Sequence, residues 1–318
     1  MTKMVMEENL LAKRNKKKKL VAEIGRNKYF LIMLFPWMVY YFIFQYIPAI
    51  GTVIAFKDYN IYKGILESPW VGFYYFRVLF NDPNFFRLLR NTFLLSVYGI
   101  VFGTIASITL AVLLNEVYSP LFKRTVQTIT YLPHFISNTV IAGIVIMVLS
   151  PKDGLVNQIL VNIFNSEPIY FMGDPKYFRA IYTITGLWQG VGWGTIVYLA
   201  AITGIDPQLY EACMIDGGGR IRQFWNITLP GMMPTIVLLL ILNVAKVLDV
   251  GTEKVLLMYN PLIYETADVF GTYTYRVGLM GGQFSLGTSI SLFNSVIGLI
   301  LMIITNYIAR RLTETSLW

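Results

Sequence analysis

Six stretches of about 20 predominantly apolar residues constrain this chain more than anything else: approximately Tyr29 to Phe56, Thr92 to Leu114, Val126 to Leu149, Ala180 to Thr203, Gly231 to Val250, and Ile290 to Ala309. Each is long enough to cross a hydrocarbon core roughly 30 Å thick as one α-helix. In lipid the backbone must satisfy its own hydrogen bonds, and barrel strands would alternate in polarity, which these stretches do not. The expected fold is therefore all-α and integral to a membrane, with about six transmembrane helices. Composition agrees: of 318 residues 55% are hydrophobic and 14% charged, where a soluble domain carries about a quarter charged.

Several chemistries are excluded early. Cys213 is the only cysteine and His134 the only histidine, so neither an intrachain disulfide nor a Cys/His zinc cluster can form. No metal set and no catalytic residue is expected on this chain. It also lacks a Gly-x-x-x-x-Gly-Lys-[Ser/Thr] phosphate loop, so it carries no P-loop ATPase of its own.

Charge sets the orientation. Lys13, Arg14 and Lys16 to Lys19 precede the first apolar stretch, which is too long for a signal peptide and ends at no small-residue cleavage site. A basic run can be a nucleic-acid arm, but beside a membrane span it reads as cytoplasmic retention and attraction to anionic lipid. Residues 1–28 are then a basic cytoplasmic tail and 29–318 a transmembrane domain, with external loops at about 57–91, 150–179 and 251–289. On this topology 15 Lys/Arg are cytoplasmic and 10 external, with Lys246 inside a span and both termini inside. The bias is real though not clean, since five of the external charges crowd the first loop.

That loop alternates aromatic and polar residues through Trp70, Phe73, Tyr74, Tyr75, Phe76, Phe85 and Phe86. The pattern suits short interfacial helices, as a membrane belt or as a docking surface. In the fourth span Gly186, Gly190 and Gly194 share one helix face and let another helix approach closely. Trp188, Gln189 and Trp193 flank that stripe, either as packing residues or as sugar contacts. His134 follows Pro133 with no histidine partner, which points to packing.

The segment at about 204–230 differs from the rest. Asp206 is a good N-cap and Pro207 suits the first helical position. Leu209, Ala212, Cys213 and Ile215 can form one apolar side of a short helix that ends at Gly217 to Gly219. A second short helix from Arg220 to about Thr228 leads through Pro230 into the fifth span. The expected product is a helix–turn–helix elbow on the cytoplasmic face.

Within it, Glu211-Ala212-Cys213, Gly217, then nine residues to Ile227-x-Leu229-Pro230 resembles the E-A-A loop of binding-protein-dependent ABC importer permeases. Six of the seven fixed positions match, Cys213 replacing an alanine. Val71-Gly72-Phe73, Phe76, Asn81-Asp82-Pro83 and Asn91-Thr92 resemble the carbohydrate-uptake branch. Tyr259-Asn260-Pro261, Asp268-Val269, Thr272-Tyr273, Tyr275-Arg276 and Ser316-Leu317-Trp318 resemble its oligo- and polysaccharide importers. The resemblance implies the type I importer permease fold in a bacterial plasma membrane. It implies that Glu211, Ala212, Asp216, Gly217, Ile227, Leu229 and Pro230 form a coupling helix seated in a cleft of a separate ATPase, Glu211 pairing with a basic residue there. It further implies a second, homologous permease subunit, an ATPase dimer that holds ATP and Mg, and an extracytoplasmic solute-binding protein that delivers the saccharide. No cofactor and no nucleic acid is expected on this chain.

In the fifth span Asn243, Lys246 and Asp249 recur every three residues and so lie near one face. Intramembrane charges usually face an interior. Lys246 and Asp249 either pair with each other or line a sugar route with Asn243, where Lys246 would favour acidic saccharides. The rival readings are an importer for a non-sugar solute, a secondary transporter and a polytopic enzyme. The second lacks its expected row of buried acids, and the third lacks a catalytic cluster.

Overall fold

The computed structural model describes residues 26–313; the basic run at 13–19 and Ser316-Leu317-Trp318 lie outside them. Among the described residues the chain is built of helices and loops, with one isolated bridge between Lys57 and Trp70. The main helices are α1 (Lys28–Phe56), α2 (Tyr74–Phe80), α3 (Phe85–Asn115), α4 (Pro120–Phe135), α5 (Asn138–Val148) and α6 (Leu155–Phe164). They continue as α7 (Pro175–Thr203), α8 (Pro207–Ile215), α9 (Arg220–Val244), α10 (Thr252–Met258), α11 (270–280) and α12 (Phe284–Thr313).

Four of these, α1, α3, α9 and α12, are long and apolar enough to cross a membrane, and the bent pair α4–α5 raises the number to five. The remaining expected span falls on α7, which has the length at 29 residues. Its glycines, Trp188, Gln189 and Trp193 dilute its apolar character.

The third expected span departs most from a straight rod: α4 and α5 meet at 100°. Pro133 has no N–H for the α-helical bond, and the chain tightens to a 3₁₀ turn over Leu132–Phe135. Ser137 then starts α5 afresh, its Oγ accepting from the Val140 N–H at 3.4 Å. With 11 residues, α5 is about 16 Å long, too short to cross by itself. The fifth span also stops early, at Val244 rather than Val250. The Lys246 N–H bonds to Asn243 O at 3.1 Å and the Asp249 N–H to Lys246 O at 2.8 Å, which are three-residue turns. Gly298 of α12 abuts this point, where a Cβ would come within 2.6 Å of Ala245 O.

Two helices widen into π-type coil just ahead of a proline: Phe42–Tyr46 before Pro48, and Phe224–Thr228 before Pro230. There the Ile47 and Leu229 N–H groups reach back five residues, to Phe42 O and Phe224 O. A proline removes one i→i−4 bond and its ring crowds the carbonyl four residues back; a wider turn relieves both.

Three apolar clusters hold the bundle. One joins Leu79, Phe85 and Leu88 to Phe270, Tyr273, Leu286 and Ile290. Another joins Leu95, Ala142 and Phe178 to Val255, Ile263 and Val269. The third joins Ala111 of α3 to Tyr198 and Ile202 of α7 and Met232 and Ile236 of α9. Close approach in α7 uses small residues, as lipid-embedded helices require. A Cβ at Gly194 would lie 2.6 Å from Ser107 Oγ, and one at Gly192 would collide with the Thr130 carbonyl. The expected glycine stripe is thus not one packing face: Gly190 has open space beside it.

The loop aromatics divide similarly. Phe56 stacks on Trp70 at 5.8 Å and Phe85 is core, whereas Phe86 is 76% exposed. No residue of α1 from Lys28 to Ile50 is buried; its C-terminal turn, Gly51–Phe56, packs on α12.

Candidate functional site

The polar residues of the transmembrane region gather around one turn. Asn243, Lys246 and Asp249 all line a cavity of about 440 Å³ between α3, α7 and the segment that runs into α10. Lys246 and Asp249 also line a second cavity of about 440 Å³, toward α12, with Thr274, Ser291 and Asn294. Because α9 unwinds after Val244, these side chains spread over a turn between two cavities instead of stacking on a helix face. Among the described residues Lys246 and Asp249 form no ion pair. Each cavity also has an orphan polar atom in its lining: Thr183 Oγ1 in the first, Asn294 Oδ1 in the second, both buried without a hydrogen-bond partner.

Of the other sequence candidates, Trp188, Gln189 and Trp193 do not line the first cavity, whereas Gly186 and Gly190 do. Trp193 lies parallel to the His134 ring, centroids 4.6 Å apart, which gives the lone histidine a packing role. Gln189 points its Oε1 to Lys254 Nζ at 3.3 Å. Its Nε2 donates to Ile136 O at 3.4 Å and Asn138 Oδ1 at 3.3 Å, at the α4–α5 break. Asn138 Nδ2 in turn donates to Glu253 Oε2 at 2.7 Å. Lys254, which the sequence reading passed over, is only 7% exposed. Burial pushes its ammonium down to about 8. The sequence signal was available: a lysine in Lys254-Val255-Leu256-Leu257 lacks a polar neighbour on its C-terminal side.

The elbow is built by local chemistry. Asp206 accepts from the Gln208 N–H at 2.9 Å, Pro207 opens α8, and Gly217 closes it with φ at +75°. Gly218 N–H bonds back to Cys213 O at 2.7 Å, and a Cβ on Gly218 would strike Cys213 Sγ. Tyr210 and Thr228 share a hydroxyl bond of 3.0 Å that fastens α8 to the base of α9. Ile227 and Leu229 are half-buried and Pro230 is exposed, with Leu229 against the α3–α7–α9 cluster. The expected apolar side of α8 is not buried: no α8 residue is, and Leu209, Met214 and Ile215 are exposed. Glu211, Ala212 and Asp216 are exposed too, and among the described residues Glu211 enters no ion pair.

The stretches near 82–92 and 264–276 converge into one clamp. Asp268 is fully buried and takes a bidentate bond from Arg276, at 3.1 and 2.7 Å. Thr272 donates to it at 2.8 Å, and Arg87 lies 3.6 Å away. Desolvation opposes the charge on Arg276, but the bonds to Asp268 outweigh it and hold the guanidinium above its ordinary value. Asn91 Nδ2 donates to the carbonyls of Asp268 and Glu265, while Arg179 of α7 donates to Asn91 Oδ1 at 3.1 Å. Tyr273 donates to Asp82, and Phe270 N–H to Thr92 Oγ1 at 3.1 Å. These matches serve as internal bolts.

Comparison with known proteins agrees with this geometry. Residues 99–314 match the family described as the binding-protein-dependent transport system inner membrane component. The chain is 42% identical over 309 residues to the polygalacturonan/rhamnogalacturonan transport system permease protein YteP of Bacillus subtilis (strain 168), covering 97% of this chain and 96% of that one. It superposes with TM-score 0.86 and 41% identity on a chain from the crystal structure of a bacterial ABC transporter that imports the acidic polysaccharide alginate, covering 93% and 99%. A second alginate transporter structure, in complex with a periplasmic protein bound to alginate pentasaccharide, matches with TM-score 0.85 and 41% identity, covering 93% and 98%.

Proposed function

Since the chain belongs to the binding-protein-dependent transport system inner membrane components, we propose that it forms half of the membrane pathway of an ATP-driven importer for an acidic oligo- or polysaccharide. The observation that carries this reading is the unpartnered elbow. Among the described residues Glu211 enters no ion pair, and Leu209, Met214 and Ile215 are left exposed. They are suited to a cleft on a separate ATPase subunit, whose closure on ATP and Mg would move α8 as a rigid body. The Tyr210–Thr228 bond and the direct run of α9 out of the elbow pass that motion to the turn that carries Lys246 and Asp249.

A second permease subunit completes the assembly. The unburied length of α1 leaves a face that such a subunit could share with lipid. Six crossings, with α7 and the α4–α5 pair counted, would put both termini on one side of the membrane, and the basic run at 13–19 supports the cytoplasm as that side, with the elbow there too. The substrate class rests on two lysines and one aspartate lining the first cavity, and on the polygalacturonan and alginate named for the similar proteins.

The test is co-expression with candidate ATPase, second permease and binding protein, purification through a tag on this chain, and reconstitution in liposomes. Uronate oligosaccharide is expected to enter only when all components and ATP are present. Full-rate uptake by this chain alone, without ATP, would establish a secondary transporter instead.

A further inference from the structure

We propose that Lys254 is a specificity residue of the pathway, whose ammonium holds one carboxylate of a uronate sugar as it passes the first cavity. This rests on the acidic-saccharide reading and adds the group that enforces it.

A buried charge ordinarily has an opposite charge beside it, because desolvation is otherwise uncompensated. Lys254 is 7% exposed, yet among the described residues it enters no ion pair. Its Nζ has three protons to donate; one reaches Gln189 Oε1 at 3.3 Å, and the Tyr182 ring face lies 5.3 Å away. Both are neutral. The Gln189 amide is turned by its own bonds to Ile136 and Asn138, so its oxygen faces the lysine.

The remaining donor capacity faces a lining built to admit something. Gly186 faces the ammonium with no side chain: a Cβ built there would stand 3.6 Å from Lys254 Nζ, so a larger side chain would fill that approach. Thr183 Oγ1, in the same lining, is buried with no partner. Glu253, the acid adjacent in sequence, is held by Asn138 at 2.7 Å. The lining therefore carries one more positive than negative charge: Lys246 and Lys254 against one carboxylate, Asp249.

A uronate supplies both a carboxylate for Lys254 and hydroxyls for Thr183. A neutral sugar supplies only hydroxyls, which leave the desolvated ammonium uncompensated. A single ammonium contact also suits a route, since a passing ligand must bind well enough to enter and weakly enough to leave.

The test uses the complete reconstituted importer and two substrates: a uronate oligosaccharide and the same chain with its carboxylates converted to amides. The binding protein's own preference is measured separately and divided out. Lys254→Met is expected to lower the acid-to-amide uptake ratio about tenfold or more, as for loss of a charge-assisted bond, and Lys254→Arg to keep it within about twofold.

An equal fall for both substrates would make Lys254 a packing bolt and overturn the proposal, as would an unchanged ratio. Should the Met variant fail to assemble, the unmutated importer decides. Its ratio is expected to fall as pH rises from 7 to 9, because the Lys254 ammonium, held near 8 by burial, loses its proton. Tyr182 of α7, Lys246 and Asp249 of the turn, and Glu253 beside it are the other ionisable groups around it. A flat ratio across that range overturns the proposal. An importer that takes up neither substrate defeats the acidic-saccharide reading itself, and this inference with it.

Discussion

The clamp around Asp268 and the elbow around Glu211 are both made of residues that stand out in the sequence, and they use their polar groups in opposite ways. In the clamp, Asp82 pairs with Tyr273, Asp268 with Thr272 and Arg276, Asn91 with Arg179 of α7 and the Asp268 and Glu265 carbonyls, and Thr92 with the Phe270 N–H, which ties α3, α7 and α11 together. Only the Nε atoms of Arg87 and Arg179 are left buried without a partner there. In the elbow the side-chain bonds of Asp206 and Tyr210 shape the helix, while Glu211 and most of the apolar side chains face outward. A motif whose chemistry closes on itself stabilises a fold. One whose chemistry stays open is free to meet another molecule, which is the role proposed for the elbow.

The largest effect should come from the closed region. Arg276→Met leaves the buried Asp268 carboxylate with Thr272 and an Arg87 contact at 3.6 Å. Breaking such a pair costs about 3–5 kcal/mol. Thermal unfolding in detergent should show a clearly lower melting temperature and a poor yield of assembled protein. A variant that melts like the parent would mean that the clamp does not hold the fold, and the contrast would collapse.

Glu211→Ala should do the reverse. Melting should not change, since among the described residues this carboxylate enters no ion pair. Substrate-stimulated ATP turnover of the assembled importer should drop at least about tenfold, as for loss of a charged hydrogen bond worth about 1.5–3 kcal/mol. Gly217→Ala ranks next. Its φ of +75° suits glycine, and an added Cβ meets nothing within 4 Å, so the backbone alone is strained, by about 1–2 kcal/mol. Coupled uptake should fall severalfold while the transmembrane part melts as before. Equal losses of stability and coupling would mean that the elbow is also structural.

How much of this was readable in advance follows the same division. Local rules placed the elbow's cap at Asp206, its first turn at Pro207 and its stop within Gly217 to Gly219, where Gly217 takes the positive φ, because capping and positive φ depend on neighbours in sequence. Hydrophobic runs located α1, α3, α9 and α12 for the same reason, the four helices long and apolar enough to cross a membrane. Contacts between distant segments were not readable. Asp268 and Asn91 are 177 positions apart, and nothing in either local sequence announces the other. The break between α4 and α5 was half-announced by Pro133, but an apolar run hides a corner. Lys246 drew attention because it interrupts an apolar run, which the structure ends at Val244; Lys254 escaped because it sits where a loop was expected, although the structure buries it.

The smallest effect tests the border between the two regions. Arg220, where α9 begins, lies 3.5 Å from Glu116 at the end of α3, the one ion pair among the described residues that ties the elbow to another helix. Both side chains are well exposed, at 69% and 42%, so water and salt screen the attraction. Such pairs contribute about 0–1 kcal/mol. Arg220→Ala should therefore leave melting within experimental error and coupling within about twofold, with any loss shrinking further at 0.5 M salt as screening predicts. The reason is geometric: the Tyr210–Thr228 bond and the continuous helix from Arg220 to Val244 already fix the elbow to the bundle. A large, salt-sensitive loss in Arg220→Ala would instead move the working joint from the α8–α9 contact to the α3 end, and Glu116→Gln should then reproduce it.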